Sequence, residues 1–306
     1  MHITHSERLA EGDVRHARAA SALCDTHHTI AATRIGGHAC LYLAAEPRTG
    51  RVASFFRHGL NVAFDDGGAA TWVSVQSAAV PLHPWAVEVS AVPPNLEAGD
   101  LVKSDGEGAH LGASFLGLSG VRVDDLRIES YTPEEVERAL LRLPLLEQFL
   151  AEARACHSPD AFQSQIDAIL ERWQATGDSS LLTGLVGLGI GSTPSGDDLL
   201  VGLAAGLVAF SMVSDKAGRR LQSVLSGLRG EGGSAVARTT PASQQALAAA
   251  LEASFPEPLC LLVGDLGAHA SDADRIRTST SGVLALGASS GTNMVRGLCA
   301  AGHSLA

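Results

Sequence analysis

The stretch from Gly187 to Asp198 reads Gly-Leu-Gly-Ile-Gly-Ser-Thr-Pro-Ser-Gly-Asp-Asp and stands directly before a long apolar run. Glycine allows φ > 0 and close approach to main-chain N–H groups, and the start of a helix favours negative charge. The stretch therefore reads as a loop that takes a small anion. Gly189, Gly191, Ser195 and Gly196 would offer N–H groups and Thr193 a hydroxyl. Its alternating glycines do not match the dinucleotide fingerprint, and no Gly-Lys-Ser/Thr follows to make a P-loop. Thr193 is the expected N-cap, with Pro194 in the first helical turn. Asp197 and Asp198 then fall in that turn, where they either complement the helix dipole or do chemistry: hold Mg²⁺ or orient an attacking nitrogen. Asp197, nearer the helix mouth, is the better catalytic candidate. Adjacent carboxylates repel a bare phosphate, so a divalent cation or an arginine is expected to mediate.

Two further segments share this logic. Leu286 to Asn293 sets small and hydroxylic residues before an apolar helix expected from Met294, so Ser290 and Gly291 are candidates for the same anion, or for simple N-capping. Arg238-Thr239-Thr240-Pro241 places an arginine beside another cap. The planar guanidinium of Arg238 could meet phosphate or carboxylate with Thr239 next to it. Asn61, at the end of a predicted strand, could bond a carbamoyl or carboxylate group, though asparagine also serves turns.

The elements that must position these residues change character along the chain. Short apolar or alternating runs, Thr29 to Ile35, Ala39 to Leu43, Val52 to Phe56, Asn61 to Phe64, Ala70 to Gln76 and Val87 to Val92, predict strands, and Gly106 to Ser119 a sharply bent strand pair. Asp65 to Gly68 signals a hairpin, and Val80-Pro81-Leu82-His83-Pro84 a turn. A short helix is expected from Glu7 to Cys24. At Thr132-Pro133-Glu134-Glu135 a capping box opens a helical pattern, repeated at Ser158-Pro159-Asp160. The helices beyond include Leu181 to Leu188, Leu199 to Val213, Gly218 to Leu228, Ser243 to Ala253, Pro258 to Leu266, Asp272 to Leu286 and Gly291 to Ala301. The expected fold is α+β, a barrel-like β domain over 1–131 followed by an all-helical domain over 132–306. Gly202 and Gly206, four apart in a helix, predict a close helix crossing.

Composition narrows the functional classes. Lys and Arg total 22 against 33 Asp and Glu, a net charge of −11 over 306 residues, which argues against a nucleic-acid partner. The longest apolar stretch, Leu199 to Val213, falls short of the ~20 residues a spanning helix needs, and the first residues lack a signal-peptide core, so no membrane partner is expected. Five cysteines without a Cys-x-x-Cys pair suit a reducing cytoplasm. The twelve histidines show no metal-site spacing.

The Gly187 to Gly202 motif, the Arg238 to Ser243 segment and the Leu286 to Gly291 loop together resemble the AllH-like family, best known for a subunit of oxamate carbamoyltransferase. The resemblance is strongest over about 180–210 and weaker, though collinear, from Phe55 to Val89. It departs from the family at Ala288 and Ser289, where His or Thr would be expected. It implies work beside partner subunits, one similar to succinyl-CoA synthetases, in the interconversion of oxalurate and phosphate with oxamate and carbamoyl phosphate. A stand-alone metal-assisted hydrolase and a non-catalytic assembly subunit are the alternatives.

Overall fold

A computed structural model describes residues 28–305 apart from 66, 68–69, 156–160, 213–214 and 230–234. The expected helix from Glu7 to Cys24, the Ser158 to Asp160 cap and two residues of the Asp65 to Gly68 hairpin lie outside the described residues. The fold is α+β. Its strands are β1 (His28–Gly36), β2 (Arg48–Phe56), β3 (Gly59–Phe64), β4 (Thr71–Ser77), β5 (Ala86–Val89), β6 (Leu101–Ser104), β7 (Gly108–Leu111), β8 (Ser114–Gly117) and β9 (Arg122–Asp124). The order β5-β4-β3-β2-β6-β7-β8-β1 closes through a β1–β5 pairing into an eight-stranded barrel, with β9 added beside β1. A register shift between Ala32 and Arg34 lets β1 serve neighbours on both sides, β5 on one and first β8, then β9, on the other. The glycine-flanked pair β7–β8 is the bent strand pair expected from Gly106 to Ser119, while β6 and β9 were not foreseen.

Inward residues of this barrel are aliphatic and fill it. Val62, Phe64, Val73, Val75, Val102, Ala109, Leu111 and Leu116 leave only about 10 Å³ in its interior, so the barrel is a packed core and not a ligand channel. One of the contributors is Leu43, from a helix. The run Ala39 to Leu43, expected as a strand, belongs to α1 (Gly37–Ala45), whose Ala39 and Leu43 are buried in the barrel core. A five-residue apolar run fits either period, and burial of one helical face decided it.

From Pro133 onward the described chain is helical: α2 (Pro133–Ala155), α3 (Gln163–Thr176), α4 (Ser195–Phe210), α5 (Asp215–Arg229), α6 (Pro241–Leu251), α7 (Glu257–Gly267), α8 (Ala273–Leu284) and α9 (Ser290–His303). The capping box forms as expected. Glu135 accepts from the Thr132 N–H at 2.8 Å, and the Thr132 hydroxyl accepts from the Glu135 N–H at 3.3 Å. Leu181 to Leu188, expected as a helix, is a 3₁₀ segment over Ser179–Leu185 that breaks into the glycine loop. Helix α4 is buried at every residue and forms the centre of the helical core. Among the described residues no helix is long and apolar enough to cross a membrane.

Close packing of α4 against α9 fixes the geometry of everything below. A Cβ on Gly202 would lie 1.9 Å from the Met294 carbonyl oxygen, and one on Gly297 2.1 Å from that of Leu199. Only glycine permits these backbones to approach so closely. Gly206 meets Ala301 on the same seam. The crossing brings the N-terminal ends of both helices, and hence the two glycine loops, to one place.

Candidate active site

Helix α4 begins at Ser195, with Pro194 rather than Thr193 as its cap residue and no side-chain cap. Thr193, freed from that task, meets the Ser290 hydroxyl at 2.9 Å. Ser290 itself opens α9, one residue before the helix expected over Gly291 to Ala301. The hydroxyls of the two loops therefore touch.

The two aspartates part company at this point. Asp197, 1% exposed, accepts from the Gly187 N–H at 2.9 Å and from the Thr239 hydroxyl, tying the glycine loop to the start of α6. Burial raises its pKa, and the Thr239 and Gly187 bonds pull the other way. Asp198, 3% exposed, faces a different neighbourhood. Burial pushes its pKa up to about 7; hydrogen bonds from Ser290 and Thr193 oppose that rise, and the charge of Asp197 adds to it. Its Oδ2 is buried with no hydrogen-bond partner. An unmet carboxyl oxygen in such a place is costly and calls for an explanation.

Asp198 lines a cavity of about 340 Å³ between the barrel and the helical region. Three features build it. Gln76, buried in β4, donates to the carbonyls of Val80 and Pro81 at 3.1 and 3.0 Å, holding the proline-rich loop that carries His83 and Trp85. Gln245 of α6 accepts from the Trp72 N–H at 3.0 Å and donates to the Trp72 carbonyl at 2.9 Å, so a side-chain amide stands in for the strand partner that β5 supplies only from Ser74 onward. Arg34 of β1 bonds Asp124 at 2.8 Å and Glu257 of α7 at 2.5 Å, clamping the two halves together. Trp72, Trp85, Pro81, Pro84 and Met294 give the cavity apolar walls. Its polar groups include Asn61, Ser74, His83, Thr193, Asp198, Gln245, Ser254 and Ser290. Burial pushes His83 down to about 4, leaving a neutral imidazole at pH 7. The Trp85 indole N–H is buried without an acceptor.

Of the residues singled out in the sequence, Asn61, Thr193, Asp198 and Ser290 line this cavity. Asn61 is anchored there by Ser54 and Ser74 at 3.0 and 2.8 Å. The others stand around it in supporting positions. The Gly196 N–H, expected to be free, is donated to Leu188 O at 2.8 Å, and that of Gly291 to Leu286 O at 2.9 Å. Gly189 lies at φ 133°, where a Cβ would fall 2.4 Å from the Ser195 nitrogen, and Gly191, at φ 94°, faces open space. Ser195 is the buried first residue of α4. Arg238 is exposed and donates to the carbonyls of Thr183 and Ala235, and Thr239 is engaged with Asp197. Among the described residues no group of three or more His, Cys, Asp or Glu is placed to hold a metal. Sequence reasoning missed Trp72, His83, Trp85 and Gln245. The signal that could have found three of these was their rarity: tryptophan and a proline-flanked histidine in a chain only 4% aromatic.

The family model described as oxamate carbamoyltransferase subunit AllH matches residues 185–302. The chain carries an AllH-like region. That region takes in the glycine loop, Asp197 and Asp198, Arg238 to Ser243, and the α9 loop, and leaves the barrel outside the match. No curated protein and no solved structure matches the chain.

Proposed function

We propose that the chain is a subunit of a carbamoyltransferase-type complex, and that the cavity between its barrel (1–131) and helical (132–306) domains is where a ureido acid such as oxalurate reacts with phosphate. The observation that carries this is Asp198, a buried carboxyl with an unmet oxygen, set in the AllH-like region and titrating near neutrality. Phosphorolysis of oxalurate breaks the bond between the carbamoyl carbon and the oxamate nitrogen and forms a bond from that carbon to a phosphate oxygen. The departing nitrogen needs a proton, and hydrogen phosphate must lose one to become the phosphoryl group of carbamoyl phosphate. A carboxyl group with a pKa near 7 can give the first and take the second, which general acid–base catalysis favours at neutral pH. Asn61, held by Ser54 and Ser74, and Gln245, held by the Trp72 backbone, fix polar groups in the wall of the cavity. Asp197 acts as a positioning residue, holding the loop that carries Asp198. No observation favours the metal-assisted hydrolase over this reading.

The proposal includes partner subunits, one of them similar to succinyl-CoA synthetases. The test is carbamoyl phosphate formation from oxalurate by the purified chain, with and without the proteins that copurify with it. Phosphate-dependent turnover that requires the partners is expected. Phosphate-independent hydrolysis by the chain alone would overturn the reading.

A further inference from the structure

We propose that this cavity selects the uncharged carbamoyl end of its ligand, a primary amide or urea group, over an anionic group of the same shape. The inference deepens the proposed function and rests on the same cavity. Three observations carry it. Asp198 Oδ2 is a buried acceptor with nothing to accept from, and the Trp85 indole N–H is a buried donor with nothing to donate to, both on residues lining one space. A –CO–NH₂ group offers an N–H and a carbonyl oxygen, one of each kind. A carboxylate in the place of that amide offers acceptors only, and would bring a second negative charge beside Asp198. An amidinium offers donors only and leaves the indole unmet.

The second observation concerns charge. No lysine or arginine is among the described residues lining the cavity, and its histidine, His83, is held neutral by burial. Arg238, the sequence candidate for neutralising an anion, spends its donors on backbone carbonyls away from the lining. The third is shape. Trp72 and Trp85, with Pro81, Pro84 and Met294, present flat and apolar walls suited to a planar uncharged group. The two loops that looked built for an anion have instead used their Gly196 and Gly291 N–H groups internally.

Benzamide, benzoate and benzamidinium share one shape and differ in charge, so they separate the possibilities. Two of the three tryptophans line the cavity and the third, Trp173, is fully buried elsewhere, so intrinsic fluorescence of the full chain reports binding. At pH 7.5 or so, benzamide should bind at least roughly tenfold more tightly than benzoate. In Asp198→Asn the gap should shrink to less than about threefold, because the charge that rejects benzoate is gone while an amide partner remains. Equal or tighter binding of benzoate, a gap unchanged by Asp198→Asn, tightest binding of benzamidinium, or no saturable response to benzamide would each overturn the inference. Failure of the broader reading looks different: benzamide selectivity as described, with an assembled complex inert toward ureido acids.

Discussion

Asp198→Asn makes opposite demands on stability and activity, and the size of each follows from the site. Asp198 titrates near 7 against an ordinary 3.8. At about 1.4 kcal/mol per pKa unit, the folded protein with Asp198 ionised carries a burial cost of up to about 4 kcal/mol. The sign follows from proton uptake. Between pH 3.8 and about 7 the folded state holds a proton that the unfolded state has released, so stability from this group is full below the lower value and is lost as pH rises through the upper one. Asparagine cannot ionise and can still bond Thr193 and Ser290. The variant and the parent should therefore be nearly equal in stability at pH 4, and the variant should gain progressively to an advantage of up to about 4 kcal/mol at pH 8. Asp197 and His83, the other titratable groups near Asp198, are present in both proteins and cancel in the difference unless coupled to it. Urea denaturation of both proteins across pH 4 to 9 measures this directly. In the assembled complex, turnover of the same variant should fall by at least roughly a hundredfold, as loss of a general acid–base does. Parallel pH–stability curves, or a variant less stable than the parent at pH 8, would refute the burial argument.

Asp197→Ala should behave differently, losing about 1–3 kcal/mol in urea denaturation because the Gly187 N–H and the Thr239 hydroxyl lose their acceptor. Gly297→Ala places a methyl 2.1 Å from the Leu199 carbonyl oxygen and 2.5 Å from the Leu203 nitrogen, backbone atoms that cannot rotate away. It should cost about 3 kcal/mol or more and is checked by the thermal midpoint. Gln245→Ala removes two hydrogen bonds between α6 and β4 and should cost about 1–3 kcal/mol, with hydrogen exchange at the Trp72 amide rising more than in the rest of the barrel.

Much of the fold was legible because local chemistry and tertiary packing agree. The Thr132 capping box, the change of hydrophobic period there and the paired glycines of α4 each carry their own structural meaning, and each appears where expected. The site was legible only in part. Asp197 and Asp198 are adjacent in sequence but about 100° apart around a helix of 3.6 residues per turn, so one can anchor the loop while the other lines the cavity. Nothing in the motif says which. Similarly, Gly196 reads as an open N–H donor, yet close packing on Leu185 and its bond to Leu188 use that group internally. The opposite wall comes from Trp72 and the His83–Trp85 loop, more than a hundred residues earlier, and their meeting with α4 depends on how Gln245 and Arg34 dock the two halves. Such long-range docking has no local signature.

The central claim is that this cavity is the place of reaction, and filling it tests that most directly. Ala246 lines it from α6 and is only partly buried, so Ala246→Trp puts an indole into the space with little demand on the core. Carbamoyl phosphate formation from oxalurate by the complex assembled with this variant is the measurement. The account predicts a folded, assembled complex whose turnover drops by at least about a hundredfold; parental turnover with the cavity filled would contradict it.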